Sequence, residues 1–464
     1  MLQATAPGAD RSQPIPTLKQ SLPVKIWHGF RDPLGFLTGL QTKFGDIVML
    51  RKGRSYAVFH PDYVRHVLQD NHPNYQKGPK YRAALAPLMG NGLFTSERPF
   101  WLRQRRLAQP AFQRAHLDAL ASPVADCAAD TLKIWAQKAH RDQPIALREE
   151  LTELTVRIVL RNLFGSDSQT ELKSLVPAID VVNDQIRFVL VFLPFHLPKW
   201  VPTPRKVRFR RALRTIDEFV YRVIRERRAR PDTRFDLLGL LLNARDEDTG
   251  ERMDDLQLRD ELVTMLNAGH DTITDALTWT LILLAQHPEQ RQRARRDVLQ
   301  VLGYRVPTAA CLSDMPFLGR VFHEALRLYP PGWVFARTAL ADDRIDGYHI
   351  PAGALVVVSP YVTQRCGRFW DRPDVFDPDR FLPERFEARH KTAYFPFGGG
   401  PRQCIGAGLA SMEAPLVLAA ILQKFDFELL PGGVVKTSPR ISLRPKGTVW
   451  LRLRPLADET QARD

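Results

Sequence analysis

Phe397, Gly400, Arg402, Cys404 and Gly406 fall in the run FPFGGGPRQCIG with the spacing F-x-x-G-x-R-x-C-x-G, which sets one cysteine in a glycine-rich turn. Gly398, Gly399 and Gly400 can take positive φ, so the backbone can fold tightly around a sulfur and turn its N–H groups toward it. The chain then reads GLASMEAPLVLAAILQKF, apolar at helical spacing. Cys404 therefore stands near a helix N-terminus, where the macrodipole favours an anion, and a depressed thiol pKa is expected. Such a thiolate could be a nucleophile, a structural zinc ligand or an axial haem ligand. Zinc is poorly supported, because Cys127, Cys311 and Cys366 are dispersed singly and form no C-x-x-C pair. A buried cysteine acting as a small hydrophobe is the plainer alternative. Five matched positions in ten residues weigh against it.

Three further groupings carry chemistry. Ala268-Gly269-His270-Asp271-Thr272 lies inside DLQLRDELVTMLNAGHDTITDALTWTLILLAQ, a run without proline that predicts one long buried helix ending at His287-Pro288. Small residues at 268 and 269 let the backbone approach a flat ligand. Thr272 is placed to bond back to the carbonyl of Ala268, opening the helix locally for water or dioxygen. A Thr and an Asp satisfied by backbone in a core helix is the competing explanation. Glu324 and Arg327 sit at i and i+3 on one helix face, a pattern that is usually a solvated ion pair. Between them and the cysteine, about eighty residues on, falls Phe376-Asp377-Pro378-Asp379-Arg380-Phe381. Trp101 and Arg105, at i and i+4, share another helix face, which alone would read as an ordinary basic surface helix.

Taken in order, these segments resemble the cytochrome P-450 haem-thiolate monooxygenases, over roughly residues 30 to 455. The resemblance implies a mainly α fold with small β-sheets (α+β), the cofactor lying between the long helix and the cysteine-loop helix. It implies haem b with Cys404 as the axial iron ligand. Asp271 and Thr272 become the acid and alcohol that relay protons, and Ala268, Gly269, Phe397 and Gly406 border the cofactor. Trp101, Arg105, Arg337 and Arg402 are the candidates for its propionates, a task that suits the planar arginine fork. Glu324, Arg327 and Arg380 are read as a structural triad holding the cysteine loop. Leu266, Ile273, Trp333, Val334 and Phe335 are expected to line an apolar substrate pocket. Two departures stand out. Ile273 occupies a place where many relatives carry a small hydroxyl residue, and Gln364-Arg365-Cys366 stands where His-Arg-Asp is common. The implied reaction is reductive activation of dioxygen by two electrons, followed by hydroxylation or epoxidation of an apolar terpenoid, fatty acyl or steroid-like molecule. A peroxide-driven peroxygenase or isomerase is the runner-up, and Asp271 with Thr272 speaks against it.

The whole chain must position these groups. Its 464 residues contain no Gly/Ser/Pro-rich linker and no internal repeat. The reading is therefore one domain over 21–456, with loose tails at 1–20 and 457–464. IVMLR and SYAVF flank Lys52-Gly53-Arg54 as strand, turn and strand, and DGYHIPAGALVVVSP reads as another strand pair. The N-terminal stretch has neither a membrane-spanning run nor a signal pattern, so a cytoplasmic monomer without a transmembrane anchor is expected. Sparse cysteines suit a reducing compartment. Residues 188–214 join an apolar stretch to a basic run; the resemblance implies a lid over the substrate channel there, with peripheral membrane contact the minor alternative. The net charge of +15 makes a nucleic-acid binder a rival of another class. Runs such as RERRAR read instead as solvated helix faces, and no nucleic-acid motif appears. Part of the charge, at Arg103, Arg105, Arg106 and Arg402, is expected to dock an acidic electron donor. No flavin or iron–sulfur segment is present, so a separate ferredoxin or flavodoxin-type donor with its reductase is implied.

Overall fold

The computed structural model describes residues 14–19, 31–166, 169–192, 203–230, 235–430 and 435–456. The C-terminal tail at 457–464, most of the N-terminal tail and positions 193–202 of the expected lid lie outside them. The chain forms two compact units. One comprises Met1–Gly78, Val334–Pro373 and Arg389–Gln403, the other Pro79–Trp333, Asp374–Ala388 and Cys404–Asp464. Each is assembled from separated stretches, so no linker composition could mark them where the sequence reads as one domain.

The smaller unit is built on a five-stranded sheet in the order Ile47–Arg51, Ser55–Val58, Leu355–Val358, Phe335–Ala339, Tyr75–Gln76. The expected hairpin forms, Ile47 facing Val58 across a turn in which Gly53 takes φ +62°. Pro16 and Leu18 bond to Met49 at 2.8 and 3.1 Å, so this part of the expected loose tail is tied to the sheet edge. The second strand pair differs from expectation. Tyr348–Ile350 turns back on Asp343–Ile345, while Leu355–Val358 inserts between Ser55–Val58 and Phe335–Ala339. The reason is local: Asp346 and Gly347 both take positive φ (49° and 80°), the requirement of a tight two-residue hairpin, whereas Pro351 and Gly353 start a looser turn. Val356, Val358, Ile350, Tyr56 and Phe395 join its apolar core.

The larger unit is mostly helical. Its long helix runs Asp255–Gln286, 32 residues, capped by the Asp254 carboxylate accepting from the Gln257 N–H and stopped at His287 before Pro288. Apolar residues all round its C-terminal half bury it on every side. Trp279 stacks on Tyr329 at 3.8 Å, and its indole donates to the Leu443 carbonyl at 2.9 Å, which fixes the helix against the C-terminal segment. Helix Ala407–Lys424 packs on Arg114–His140 so closely that a Cβ on Gly408 would sit 2.9 Å from Leu117. Phe425–Leu429, Trp450–Pro455 and Ile145–Ala146 add a three-stranded antiparallel sheet. The class is the expected one, mainly α with small sheets.

Candidate active site

The cysteine turn takes the shape its glycines permit. Gly398 and Gly400 have φ +75° and +63°, while Gly399 is extended at −158°. At Gly400 any side chain would be excluded, since a Cβ would overlap the Leu68 carbonyl oxygen and lie 2.8 Å from its carbon. The loop thus presses on the backbone of the 66–70 helical turn. Beyond it, Cys404 is exposed, three residues ahead of helix Ala407–Lys424. A Cβ at Gly406 would stand 3.9 Å from the Cys404 sulfur, so glycine leaves the flank of the thiol open. In the same unit, half-buried Arg105 lies within electrostatic reach of Cys404. Burial draws its pKa below the ordinary guanidinium value, and Cys404 pulls against that shift. Trp101, one turn earlier, is buried at 2% exposure.

On the long helix, the open face is Met265, Ala268, Gly269 and Thr272, the i, i+3, i+4, i+7 set of one side. Thr272 Oγ1 donates to the Ala268 carbonyl at 2.8 Å, as the sequence leads one to expect. Leu266 and Ile273, expected in the substrate pocket, are buried at 1% and 4% exposure. At about 100° per residue they leave the face that carries Ala268 and Thr272, and Met265 takes the apolar place there. The departure at Ile273 therefore alters packing, not the open face.

Asp271 is held away from that face by partners the sequence did not reveal. Arg148 Nη2 donates to Asp271 Oδ1 at 2.7 Å, and Arg148 Nε donates to Asp275 Oδ1 at 2.8 Å. Asn183 Nδ2 adds a bond to Asp271 Oδ2 at 3.3 Å and accepts one from Asn267 at 2.8 Å. Burial would raise the Asp271 pKa, but His270, Arg148 and Arg444 hold it below the ordinary carboxylate value. For Asp275, burial prevails over Arg148, and its pKa is raised. Arg148 lies more than a hundred residues upstream in an unremarkable LREEL run, and no local spacing announces it. The i, i+4 recurrence of Asp271 and Asp275 is the one signal that was legible.

Glu324, Arg327 and Arg380 meet as expected and are fully buried. Arg327 forks onto the Glu324 carboxylate at 2.7 and 2.8 Å, and Arg380 Nε reaches the same carboxylate at 3.3 Å. Glu324 also accepts the Asp377 N–H at 3.0 Å, and Arg327 donates to the Val375 carbonyl at 3.1 Å. The bonds therefore secure the 375–380 stretch. Trp333 is tied by its indole to the Arg440 carbonyl at 2.9 Å. In the smaller unit, Phe335 opens a strand, with its ring 4.0 Å from where a Gly398 Cβ would lie, and Val334 precedes it. Arg337 bonds its neighbour Ala336, and Arg402 and Phe397 are half-buried in the glycine loop. Gln364, of unassigned consequence in the sequence, is wholly buried and accepts the Phe395 N–H at 2.9 Å, anchoring the entry to the cysteine loop. Arg103 and Arg106, expected to face an electron donor, are engaged with an acidic loop: Arg103 with Glu251 at 3.3 Å and Arg106 with Asp248 at 2.6 Å.

Among the described residues no three His, Cys, Asp or Glu side chains gather as a metal cluster. The donor set is thus a single soft, exposed sulfur on a glycine turn beside an arginine, which fits a thiolate-ligated haem and not a tetrahedral zinc. Residues 17–452 match the family described as Cytochrome P450. Cyclooctatin synthase of Streptomyces melanosporofaciens is 37% identical over 421 residues, covering 89% of each chain. Pentalenene oxygenase of Streptomyces avermitilis is 35% identical over 435 residues, 93% of each. The crystal structure of the cytochrome P450DA heme domain superposes with a TM-score of 0.86 at 29% identity, covering 96% of this chain and 98% of that one. Shared order of motifs and shared fold over nearly the full length leave common descent as the explanation, and the chain belongs to the cytochrome P450 family, as a haem b monooxygenase that uses dioxygen, electron donors and an apolar substrate.

Proposed function

We propose that this P450 hydroxylates or epoxidises a terpenoid, with electrons passed from a separate ferredoxin or flavodoxin-type protein and its reductase. The observation that carries the substrate class is the similarity to cyclooctatin synthase, pentalenene oxygenase and cyclooctat-9-en-7-ol 5-monooxygenase, at 37%, 35% and 32% identity, relatives that act on terpenoids. The open helix face agrees with it: Met265, Ala268 and Gly269 offer no charge, and Thr272 offers one hydroxyl. Haem b, when bound, supplies oxygen activation and transfer of one oxygen atom to carbon.

The chain's own residues do the rest. Cys404 would hold the iron, with Gly406 leaving room beside the sulfur. Trp101 and Arg105 in the larger unit, and Arg337 and Arg402 in the smaller, are the candidates for the carboxylates of the macrocycle. Thr272, its hydroxyl proton engaged by the Ala268 carbonyl, keeps its lone pairs for a proton donor on the open face. Asp271 stands one residue away as the ionised partner of Arg148; when that pair opens it would take up a proton and pass it on toward Thr272. Trp333, Val334 and Phe335 are the remaining apolar candidates for contact with substrate.

An optical titration of the purified haem protein tests this. A cyclic terpene hydrocarbon should shift the Soret band, where a fatty acid and a steroid should not. A response to fatty acids alone would overturn the terpenoid assignment, and product formation from peroxide without reductant would overturn the monooxygenase role in favour of a peroxygenase.

A further inference from the structure

Beneath Asp271 lies a second carboxylate that the relay described so far does not use. Asp275 is buried at 0% exposure, one helical turn beyond Asp271, and the two share Arg148 through different nitrogens of one guanidinium. Only Oδ1 of Asp275 is spoken for. Oδ2 is buried with no close hydrogen-bond partner, and the Ser442 hydroxyl, likewise without a close one, faces the Asp275 carboxylate as a donor. Both residues line one small polar cavity of about 30 Å3, which Asp271 and Asn183 also border. That is room enough for a water, and the groups around it supply the polar contacts such a water needs. Arg440 and Arg444 form the side of the cavity contributed by the C-terminal segment.

An unbonded carboxylate oxygen in such a place costs free energy unless it bonds water or holds a proton. Here both outlets exist. We propose that Asp275 is the proton-loading residue for Asp271, taking its proton from a water held against Ser442, with Arg148 as the pivot that the two carboxylates share. The water gives a proton to Asp275 Oδ2 and is itself reprotonated from solvent through the cavity. Arg148 then favours whichever carboxylate is still charged, so neutral Asp275 leaves it on Asp271. Asp275 next hands its proton to the charged Asp271 and becomes the anion, to which Arg148 turns; protonated Asp271 then passes that proton toward Thr272 and is an anion again, while Asp275 is reloaded from the water. Each transfer moves one proton and one unit of charge, with no other reactant.

The charges facing the pair come from three elements. Helix Leu147–Phe164 gives Arg148, helix Gln169–Phe192 gives Asp180 and Asp184, and the C-terminal segment gives Arg440 and Arg444, while His270 adjoins Asp271 on their own helix. Asp184 is itself paired with Arg440 at 3.5 Å. Asp180, whose pKa burial and Asp271 raise, adds to the negative side, so the cluster resists carrying every carboxylate charged at once. Asp275, the most enclosed of them, is where a proton is least costly to keep.

Asp275 does not touch the reacting atoms and acts as a positioning residue, and the inference rests on Asp271 and Thr272 serving as the relay. The experiment is an infrared titration of the purified holoenzyme from about pH 5 to about pH 9, following the carbonyl stretch of a protonated carboxyl group. The wild type should show protonated carboxyl signals, those of buried Glu413 and Glu261 among them, and one more that belongs to Asp275. D275N should lack it, and D275E should restore it. S442A, which leaves both carboxylates in place and guards against a folding defect, should shift the titration by at least about one unit. In turnover, D275N should slow product formation about tenfold, short of the 10²–10⁴-fold typical of a direct proton donor, with a displaced pH profile. Carboxyl signals that are the same in D275N as in the wild type, with no component lost, overturn the loading role. If D271N impairs turnover and D275N does not, the loading role alone falls. If D271N also leaves turnover and coupling intact, the relay falls and the loading role with it.

Discussion

Thr272 is the side chain whose proposed work is most separable from its structural role. Its hydroxyl bonds a carbonyl that the helix itself would otherwise engage, so removing it costs the fold little. Thr272→Ala should therefore leave thermal stability within about 0.5 kcal/mol of wild type, as surface-like substitutions do. It should lower product formed per electron pair by about tenfold or more, the lost electrons appearing as peroxide. Measuring product and peroxide against reductant consumed checks this, and unchanged coupling would refute the relay. Gln364 presents the opposite balance. It touches no reacting group, yet it satisfies the buried N–H of Phe395 two residues before Phe397. Gln364→Ala should cost about 1–3 kcal/mol, the penalty of an orphaned buried donor, while Gln364→Glu keeps an acceptor and should cost less. Urea denaturation together with retention of haem on dilution reads both. At this scale the sequence is informative where one residue bonds its own helix, as Thr272 does with Ala268. It is silent where the partner comes from far along the chain, as Arg148 does for Asp271 and Gln364 for Phe395.

At the scale of elements, periodicity carried further for helices than for strands. The C-terminal end of helix Asp255–Gln286 was legible, because the proline that follows His287 marks where its backbone groups change partners, whereas its Asp254 cap emerges only in the structure. Which face it leaves open was not, and Leu266 and Ile273 are buried beside that face rather than on it. An all-round apolar helix has no amphipathic signal to orient it. Leu355–Val358 shows the same limit, since its alternation predicts a strand but not its neighbours. The Glu324, Arg327 and Arg380 cluster is the element-scale device with the largest consequence. Two buried guanidinium groups face one carboxylate. Glu324→Gln should remove the compensating charge and cost about 3–5 kcal/mol, the range for breaking a buried ion pair from one side. Low recovery of folded haem protein, and a steep fall in the denaturation midpoint, would bear this out. A variant of wild-type stability would show that the triad is dispensable to the fold.

Across the whole molecule, charge is spent on internal pairing more than the net value of +15 suggests. Arg103 and Arg106 illustrate it, each bound to the acidic loop at 246–251, so the surface they share offers an electron donor less positive charge than the sequence alone promises. Among the described residues no helix is long and apolar enough to cross a membrane. The buried acids set the response of the whole fold to pH. Glu413, at 3% exposure on helix Ala407–Lys424, is pushed up to about 8 by burial, and Glu261, which accepts the Leu93 N–H, likewise to about 8. The unfolded chain releases both protons near the ordinary value of 4.5. Between these limits the native state binds more protons than the unfolded one, so stability falls as pH rises, and the fall ends above about pH 8. Each such proton contributes a slope of about 1.4 kcal/mol per pH unit. Asp343 has the opposite sign, since Tyr75 and His66 outweigh burial and lower its pKa, giving stability that is lost as pH falls through that depressed value. Glu413→Gln should therefore flatten the neutral-to-alkaline limb of the stability profile, gain most at and above about pH 8, and leave the acid limb unchanged. Chemical denaturation of the holoenzyme at a series of pH values measures this directly. A glutamine variant whose profile runs parallel to wild type across the window would mean that Glu413 is already ionised in the fold, and that a compensating donor reaches its buried carboxylate.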